Sequence, residues 1–193
     1  MGETSGFVKR LARRRVPLGF VFGALVLWLA APTPRSLAIG AAIAALGEAT
    51  RIWAAGHLNK SREVTSSGPY RWFAHPLYVG SSIMGVGLAV ASGSPIVAAL
   101  IATYLGVTLT AAIKSEEAFL RQKFGDRYDR YRRGADGDAG AARRRFSFRQ
   151  ALANREYRAL VGLALVILLL AWKATYNGAF WRTAGTHVVR PGG

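Results

Sequence analysis

The chain has 193 residues, enough for one domain, and 51% of them are hydrophobic. It contains no cysteine, which excludes disulfide bonds, thiolate catalysis and cysteine-based metal sites. A net charge of +16 would favour nucleic-acid binding in a soluble protein, but no stacking platform or recognition motif accompanies it. We therefore expect no nucleic-acid partner and no metal site.

Apolar residues are concentrated in five long runs, as membrane-spanning helices require. A helix needs about 20 residues (range about 17 to 25) to cross a hydrocarbon core of ~30 Å. The second, fourth and fifth runs have this length, whereas the first and third need residues from their flanks. The runs are residues 16–31, 37–55, 77–91, 96–113 and 157–176. The sequence therefore predicts an all-α polytopic protein, a single integral-membrane domain over residues 1–193 with about five transmembrane helices.

The distribution of basic residues predicts the orientation of these helices. Lys and Arg number five in residues 1–16, three in residues 56–76 and thirteen in residues 114–158, against three in the alternate loops. The positive-inside rule then places the N-terminus in the cytoplasm, with the basic loops facing membrane lipids. The composition favours a bacterial inner membrane. A cleaved signal peptide is the alternative for the first run, but a retained anchor fits five crossings better.

Short turns and one long loop connect the runs. Residues 32–36 and 92–95 are predicted to be tight turns, so the first two spans and the next two form hairpins. The larger loops, including residues 114–156, face the cytoplasm. Apolar and aromatic residues recur at helical spacing in residues 115–131, which predicts a helix that leaves the bilayer and then lies on its surface. Residues 134–142 are predicted to form a flexible loop.

A polar stretch at residues 68–80 leads into the third run and contains a His-Pro pair. Pro76 disfavours the helical region for His75 and itself suits the first helical position. The first N–H groups of the helix then lack internal partners and carry the positive end of the dipole. This geometry can receive a carboxylate or a phosphate. An ordinary well-formed turn is the alternative interpretation.

Glu116 and Glu117 lie at the cytoplasmic end of the fourth run. Because the third and fourth spans form a hairpin, we expect both residues to meet His75 in one cytoplasmic pocket. A carboxylate at the membrane boundary is costly unless it has a role. A solvated pair that offsets nearby arginines is the alternative.

Two further features lie within the spans. Glu48 and Arg51 share a helix face at i, i+3 and can pair, which indicates either a site lining or a polar lock between helices. The Gly85-Val86-Gly87 triplet follows no strand, so it is not a dinucleotide fingerprint. Its small residues predict close helix packing.

Several motifs follow one another in a fixed order between residues 51 and 133. Gly-Pro-Tyr-Arg-x-x-x-His-Pro-x-Tyr-x-Gly precedes a helical hairpin, and Glu-Glu and Phe-Gly-x-x-Tyr-x-x-Tyr follow it. This order resembles the isoprenylcysteine carboxyl methyltransferase family, and phospholipid methyltransferases share a related pattern. The resemblance implies an integral-membrane methyltransferase that binds S-adenosylmethionine in a cytoplasmic pocket.

The resemblance also implies residue roles. His75, Leu77, Tyr78 and Gly80 would contact the methionyl part of the cofactor, and the two glutamates would accept hydrogen bonds from its ammonium group or ribose hydroxyls. The full expected cofactor-binding set is Tyr70, Arg71, His75, Pro76, Leu77, Tyr78, Gly80, Glu116 and Glu117. The family has an arginine immediately before the His-Pro pair, where this chain has Ala74. Arg71 or Arg127 is the candidate source of the missing charge.

Methyl transfer from a sulfonium depends mainly on positioning and on exclusion of water. A carboxylate acceptor is already ionised, and Arg51 or Arg155 is expected to hold it. An amine acceptor would need a base, for which Glu156 is the candidate. We expect a lipidic or prenylated amphiphile that enters from the bilayer, such as an isoprenylcysteine-type carboxylate.

Two other functions remain open at this point. An NADPH-dependent membrane reductase of the sterol-reductase type would share a polytopic helical core, but it would need an acidic residue where this chain has Ser81. A non-catalytic membrane protein that binds lipid is compatible with Ala74. Binding of S-adenosylhomocysteine, of NADPH, or of neither separates the three.

Overall fold

The structure is a computed structural model that describes residues 21–59, 65–126, 128 and 145–176. All secondary structure in these residues is helical, which confirms the all-α prediction. Residues 21–29 form helix α1. The other elements are α2 (Pro34–His57), a 3-10 turn (Gly68–Arg71), α3 (Pro76–Ser92), α4 (Pro95–Phe124), α5 (Phe148–Ala153) and α6 (Tyr157–Tyr176).

Three of these helices are long and apolar enough to cross a membrane, namely α2, α4 and α6, and α3 is a shorter apolar helix. The four later predicted runs each lie within one helix, so their positions are confirmed. The first predicted run, residues 16–31, is described only from residue 21 onwards.

Helix α4 continues well past the predicted fourth run. Its 30 residues make a helix of about 45 Å, which is longer than a hydrocarbon core of ~30 Å. The predicted continuation of the helix beyond the fourth run is therefore confirmed as far as Phe124, and its exit from the bilayer stays a prediction. Its predicted continuation along the membrane surface, and the loop over residues 134–142, lie outside the described residues.

Local signals in the sequence start and stop these helices. Thr33 caps α2 by accepting a hydrogen bond from the Ser36 N–H (3.1 Å), while the Ser36 hydroxyl accepts one from the Thr33 N–H (2.9 Å). Ser94 caps α4 in the same position before a proline. Between α3 and α4, Gly93 adopts a left-handed φ of 62°, which favours glycine. The predicted tight turn of the α3–α4 hairpin is thus confirmed.

Small residues hold α2 and α3 in close contact. A Cβ atom on Gly80 would lie 2.7 Å from the Gly47 carbonyl oxygen, and one on Gly87 would lie 2.6 Å from that of Gly40. In lipid, where apolar burial drives helix association little, such close backbone approach stabilises the pair. On another side of α3, Gly85 leaves room for the Leu105 side chain of α4. The packing role predicted for the glycine triplet is confirmed.

Polar side chains from α5 and α6 close two helix ends. Asn154 donates through its amide to the carbonyl groups of Ala55 (2.8 Å) and Leu58 (2.9 Å) at the end of α2. Lys173 on α6 donates to the Leu27 and Trp28 carbonyl groups at the end of α1. The last carbonyl groups of a helix lack partners within it, so both contacts stabilise the helix ends in a membrane.

Candidate functional site

His75 occupies the N-cap position of α3, with Pro76 as the first helical residue, as predicted. Its side chain makes no capping hydrogen bond. Its carbonyl accepts hydrogen bonds from the N–H groups of both Tyr78 (3.0 Å) and Val79 (3.2 Å). The turn therefore offers fewer free N–H donors than expected, because it tightens onto the His75 carbonyl. What it presents instead is the imidazole.

Two carboxylates from the end of α4 meet this imidazole. The distance from His75 Nε2 to Glu117 Oε1 is 3.3 Å, and that from Nδ1 to Glu116 Oε2 is 3.8 Å. The Tyr78 ring lies beside this cluster, with its centroid 5.7 Å from that of His75. The side chain of Glu116 remains 40% exposed, so it can still accept bonds from a ligand. The predicted meeting of His75 with both glutamates is confirmed.

A cavity of about 660 Å³, here called the groove, runs between α3 and α4 from this cluster. On α3 it extends from His75 to Ala89, 14 residues or about 21 Å of helix. Trp72 and Phe73 lie at its mouth beside Ala74, and both are largely exposed. Small side chains form much of its wall, namely Ser82, Gly85, Ala89, Ala98, Ala102 and Gly106.

The other predicted cofactor-binding residues lie elsewhere. Tyr70 and Pro76 are buried, and Arg71 is exposed and does not line the groove. Leu77 lines a different cavity, and Gly80 packs against α2. Their contact with a cofactor stays a prediction. The side chain of Arg127, the other candidate replacement for the missing arginine, lies outside the described residues.

The cavity that Leu77 lines, here called the second cavity, has a volume of about 470 Å³. The first turns of α3 separate it from the groove. It brings together the three residues predicted to act on the acceptor, Arg51, Arg155 and Glu156. Arg51 Nε lies 2.6 Å from Glu156 Oε1, and Arg51 Nη1 donates to the Ser81 hydroxyl and, at 3.5 Å, to the Leu77 carbonyl oxygen. Arg51 thereby links α2 to both α3 and the start of α6.

Glu48 is a weaker partner of Arg51 than the sequence indicates. Its Oε2 atom lies 3.7 Å from Arg51 Nε, and both carboxylate oxygens are buried with no hydrogen bond to another described residue. The guanidinium is directed at Glu156, which is 105 positions away in the chain. Both interpretations of the pair therefore apply to Arg51, because it lines a cavity and also locks three helices together.

A family model described as phospholipid methyltransferase matches residues 19–127, more than half of the chain. The chain belongs to the phospholipid methyltransferase family. The match includes His75, both glutamates and the whole groove, and it ends before α5 and α6. The resemblance found in the motifs is confirmed.

Curated relatives of this phospholipid methyltransferase family member carry names of two kinds. The nickel-cobalt-cadmium resistance protein NccN of Alcaligenes xylosoxydans xylosoxydans is 32% identical over 108 residues, covering 55% of this chain and 49% of that protein. The cobalt-zinc-cadmium resistance protein CzcN of Cupriavidus metallidurans is 29% identical over 60% of this chain and 56% of its own length. The protein-S-isoprenylcysteine O-methyltransferase of Schizosaccharomyces pombe is 33% identical over 39% of this chain and 32% of its own.

The chain spans about half the length of the first two of these relatives and a third of the last. No solved structure matches it at a significant level. What this chain shares with known proteins is therefore the core of an integral-membrane methyltransferase family, over residues 19–127.

Sequence reasoning missed the groove wall and part of the second cavity. On each helix of the α3–α4 hairpin the small wall residues recur three or four positions apart, a signal visible in the sequence. Ser81, Asn154 and Arg158 carry no such signal, because their contacts join elements distant in the chain.

Proposed function

We propose that this protein binds S-adenosylmethionine at the His75 end of the groove and transfers its methyl group to a membrane-embedded amphiphile. One observation carries the proposal: the His75 imidazole faces both Glu116 and Glu117 at the end of a long apolar groove, in a chain of a membrane methyltransferase family.

The side chains at this end have the chemistry that the cofactor needs. Carboxylates form strong, charge-assisted hydrogen bonds with an ammonium group, and they also accept from ribose hydroxyls. A volume of about 660 Å³ lies within the usual range of small-molecule sites. When bound, S-adenosylmethionine supplies an electrophilic methyl group. The His75 imidazole contacts both Glu116 and Glu117, so the arrangement of these side chains is set before the ligand arrives.

The groove supports an acceptor with an apolar tail. Its wall is apolar apart from the His75 end and a few hydroxyl groups, and it lies along helices that can cross a membrane. A tail held there would place its polar head beside His75, where the methyl group is available. Holding two reactants in such an arrangement is the main source of acceleration for this chemistry.

We also propose that the chain crosses a bacterial inner membrane five times, with its N-terminus in the cytoplasm. The His75 end of the bundle is reached through residues 56–76 and 114–158, which carry sixteen of the 26 basic residues. The positive-inside rule assigns that end to the cytoplasm, where the cofactor is available.

An isoprenylcysteine-type carboxylate is one acceptor compatible with this arrangement, and an amine is another. Reacting atoms must come within about 3–3.5 Å of each other, and the first turns of α3 separate the groove from Arg51, Arg155 and Glu156. The acceptor-holding role of these three residues therefore stays a prediction. A loss of kcat in Arg155→Ala, with unchanged cofactor binding, would support it.

Relatives named for metal resistance raise metal binding as a second possibility. Within the described part of the chain, no cluster of three or more His, Asp or Glu residues is arranged to hold a metal ion. The two ring nitrogens of His75 face different carboxylates, which suits ion pairing. We include a metal ion in the test for this reason.

The test is titration of the purified full chain with S-adenosylhomocysteine, NADPH and NiCl₂ by calorimetry. We expect S-adenosylhomocysteine to bind, Glu117→Ala to abolish binding, and Asp126→Ala to retain it as the matched carboxylate control. Binding of NADPH or of nickel alone, or of nothing, would overturn the proposal. Membranes incubated with methyl-labelled S-adenosylmethionine should then yield a labelled amphiphile that identifies the acceptor.

A further inference from the structure

The second cavity carries an excess of positive charge that the described residues do not neutralise. Its wall contains three arginines, Arg51, Arg155 and Arg158, and one carboxylate, Glu156. That carboxylate is buried and already pairs with Arg51 at 2.6 Å. Neither Arg155 nor Arg158 has a side-chain hydrogen bond or ion pair with any residue that the structure describes.

The turn that carries the two unpaired arginines is fixed in place. Asn154 is tied to the end of α2 by two hydrogen bonds, and the Glu156 N–H donates to the Ala151 carbonyl oxygen at 3.2 Å. Between them Arg155 has a φ of 61°, the one positive value among the non-glycine residues that the structure describes. The Arg155 N–H donates to the Leu152 carbonyl oxygen at 2.9 Å, so this conformation belongs to the C-cap that ends α5. The cap holds Arg155 in a defined place in the wall of the second cavity.

The remaining wall of the cavity is apolar and includes Leu58 and Leu77. The cavity lies where α2 ends and the membrane-spanning helix α6 begins, at the boundary between hydrocarbon and water. A ligand that suits both parts has an anionic head and an apolar body. Guanidinium groups bind phosphate oxygens in a bidentate manner, and basic pockets at this depth suit anionic lipid headgroups.

We propose that the second cavity binds the phosphate headgroup of an anionic membrane lipid, distinct from the methyl acceptor, through Arg155 and Arg158. Both arginines lie outside residues 19–127, the part of the chain that matches the family, so the C-terminal segment supplies the two proposed phosphate ligands while α2 and α3 supply other parts of the wall. The lipid would join the end of α2 to the start of α6, beside the Arg51–Glu156 ion pair.

The test compares the full chain in neutral micelles with and without added phosphatidylglycerol, by thermal unfolding and by native mass spectrometry. We expect the lipid to bind and to raise Tm. In the double variant Arg155→Gln/Arg158→Gln, affinity should fall by about tenfold or more. The control Arg145→Gln/Arg149→Gln removes the same charge from exposed positions that do not line the cavity, and it should bind as the wild type does.

A single variant, Arg155→Gly, separates a binding role from a structural one. Glycine relieves the positive φ, so we expect a Tm equal to or above that of the wild type without lipid, together with a smaller lipid-induced rise. Equal loss of affinity in the control double variant, or an unchanged lipid response in Arg155→Gly, would overturn the proposal. A rise in Tm with inorganic phosphate equal to the rise with phosphatidylglycerol would show that the cavity binds phosphate and does not require a lipid.

The result is independent of the proposed cofactor site. S-adenosylhomocysteine binding is expected to be unchanged in all of these variants, because their residues do not line the groove. A failure of lipid binding with retained cofactor binding therefore rejects the lipid site alone.

Discussion

The groove and the second cavity lie back to back across the first turns of α3, yet they differ in charge. One end of the groove is lined by the His75 imidazole, which contacts two carboxylates, whereas the second cavity is lined by three guanidinium groups and one carboxylate. Leu77 and Tyr78 are neighbours in sequence but line different cavities, because successive residues of a helix point in different directions. One helix turn thus separates a site suited to a cation from a site suited to an anion.

The two regions also differ in how they are held. The groove lies between α3 and α4, and among the residues that the structure describes no hydrogen bond or ion pair between these two helices lies along its apolar wall. The second cavity is lined by Arg51, whose side chain contacts α3 and the start of α6. We infer that the Arg51 contacts on the second-cavity side of α3 provide a rigid support for the helix turn that carries His75. Five substitutions, each compared with a control, test this contrast.

The largest effect is expected for the free energy of unfolding of Arg51→Ala, in the wall of the second cavity. It leaves Glu156 and Glu48 buried without a counter-charge, and removing one partner of a buried pair typically costs about 3–5 kcal/mol. The free energy of unfolding in micelles is the measurement. Arg149→Ala removes an exposed arginine and should change it by no more than about 0.5 kcal/mol. Equal effects of the two substitutions would show that Arg51 does not lock the helices.

On the groove side, His75→Ala and Glu117→Gln should weaken S-adenosylhomocysteine binding by about 10- to 100-fold each, since the second removes a charged acceptor and the first removes the imidazole that contacts it. Unfolding free energy should change much less than in Arg51→Ala, because the cluster is partly exposed. Arg158→Gln on the other side of α3 provides the comparison and should bind as the wild type does. Weakened binding in all three variants would mean that the two cavities form one site.

The His75 cluster was predictable because its determinants are local. A His-Pro pair starts a helix, a Ser-Gly-Ser-Pro turn makes a hairpin, and the hairpin places the end of α4 beside the start of α3. Each step depends on turn and cap chemistry within a few residues. The observed contact of His75 with Glu117, 42 positions apart, follows from these steps.

The second cavity and the faces of α3 were not predictable in this way. In a soluble helix, polar residues mark the face directed to solvent, but in lipid every face is apolar and the pattern identifies no interior side. The sequence therefore gave no reason to place Gly80 against α2 or Leu77 in the second cavity. The contact of Arg51 with Glu156 is likewise set by how α6 packs, which the local pattern does not encode.

A smaller effect is expected from filling the groove without disturbing the cofactor end. Gly106 lines the groove, and a Cβ atom there would meet no other atom within 4 Å. Gly106→Leu should lower kcat/KM for the acceptor by about tenfold through lost tail contacts, a loss near 1.4 kcal/mol. Its binding of S-adenosylhomocysteine should be unchanged.

Gly162→Leu is the matched control for this substitution. Gly162 lies in α6, has equally open space at its Cβ position and does not line the groove. Both variants add the same apolar side chain to a membrane-spanning helix. Equal kcat/KM values for the two would place the acceptor tail outside the groove.

The smallest effect is expected from restoring charge at the groove mouth with Ala74→Arg. Ala74 lines the groove, and it stands where the motif resemblance predicts an arginine. A guanidinium there would give the cofactor carboxylate a counter-charge, and a partly exposed pair of this kind contributes about 0.2–1 kcal/mol. S-adenosylhomocysteine should therefore bind up to about fivefold more tightly, while Ala74→Gln, which adds bulk without charge, should not. Weaker binding in Ala74→Arg would mean that the new cation pairs with Glu116, and that the mouth of this groove is built to exclude positive side chains.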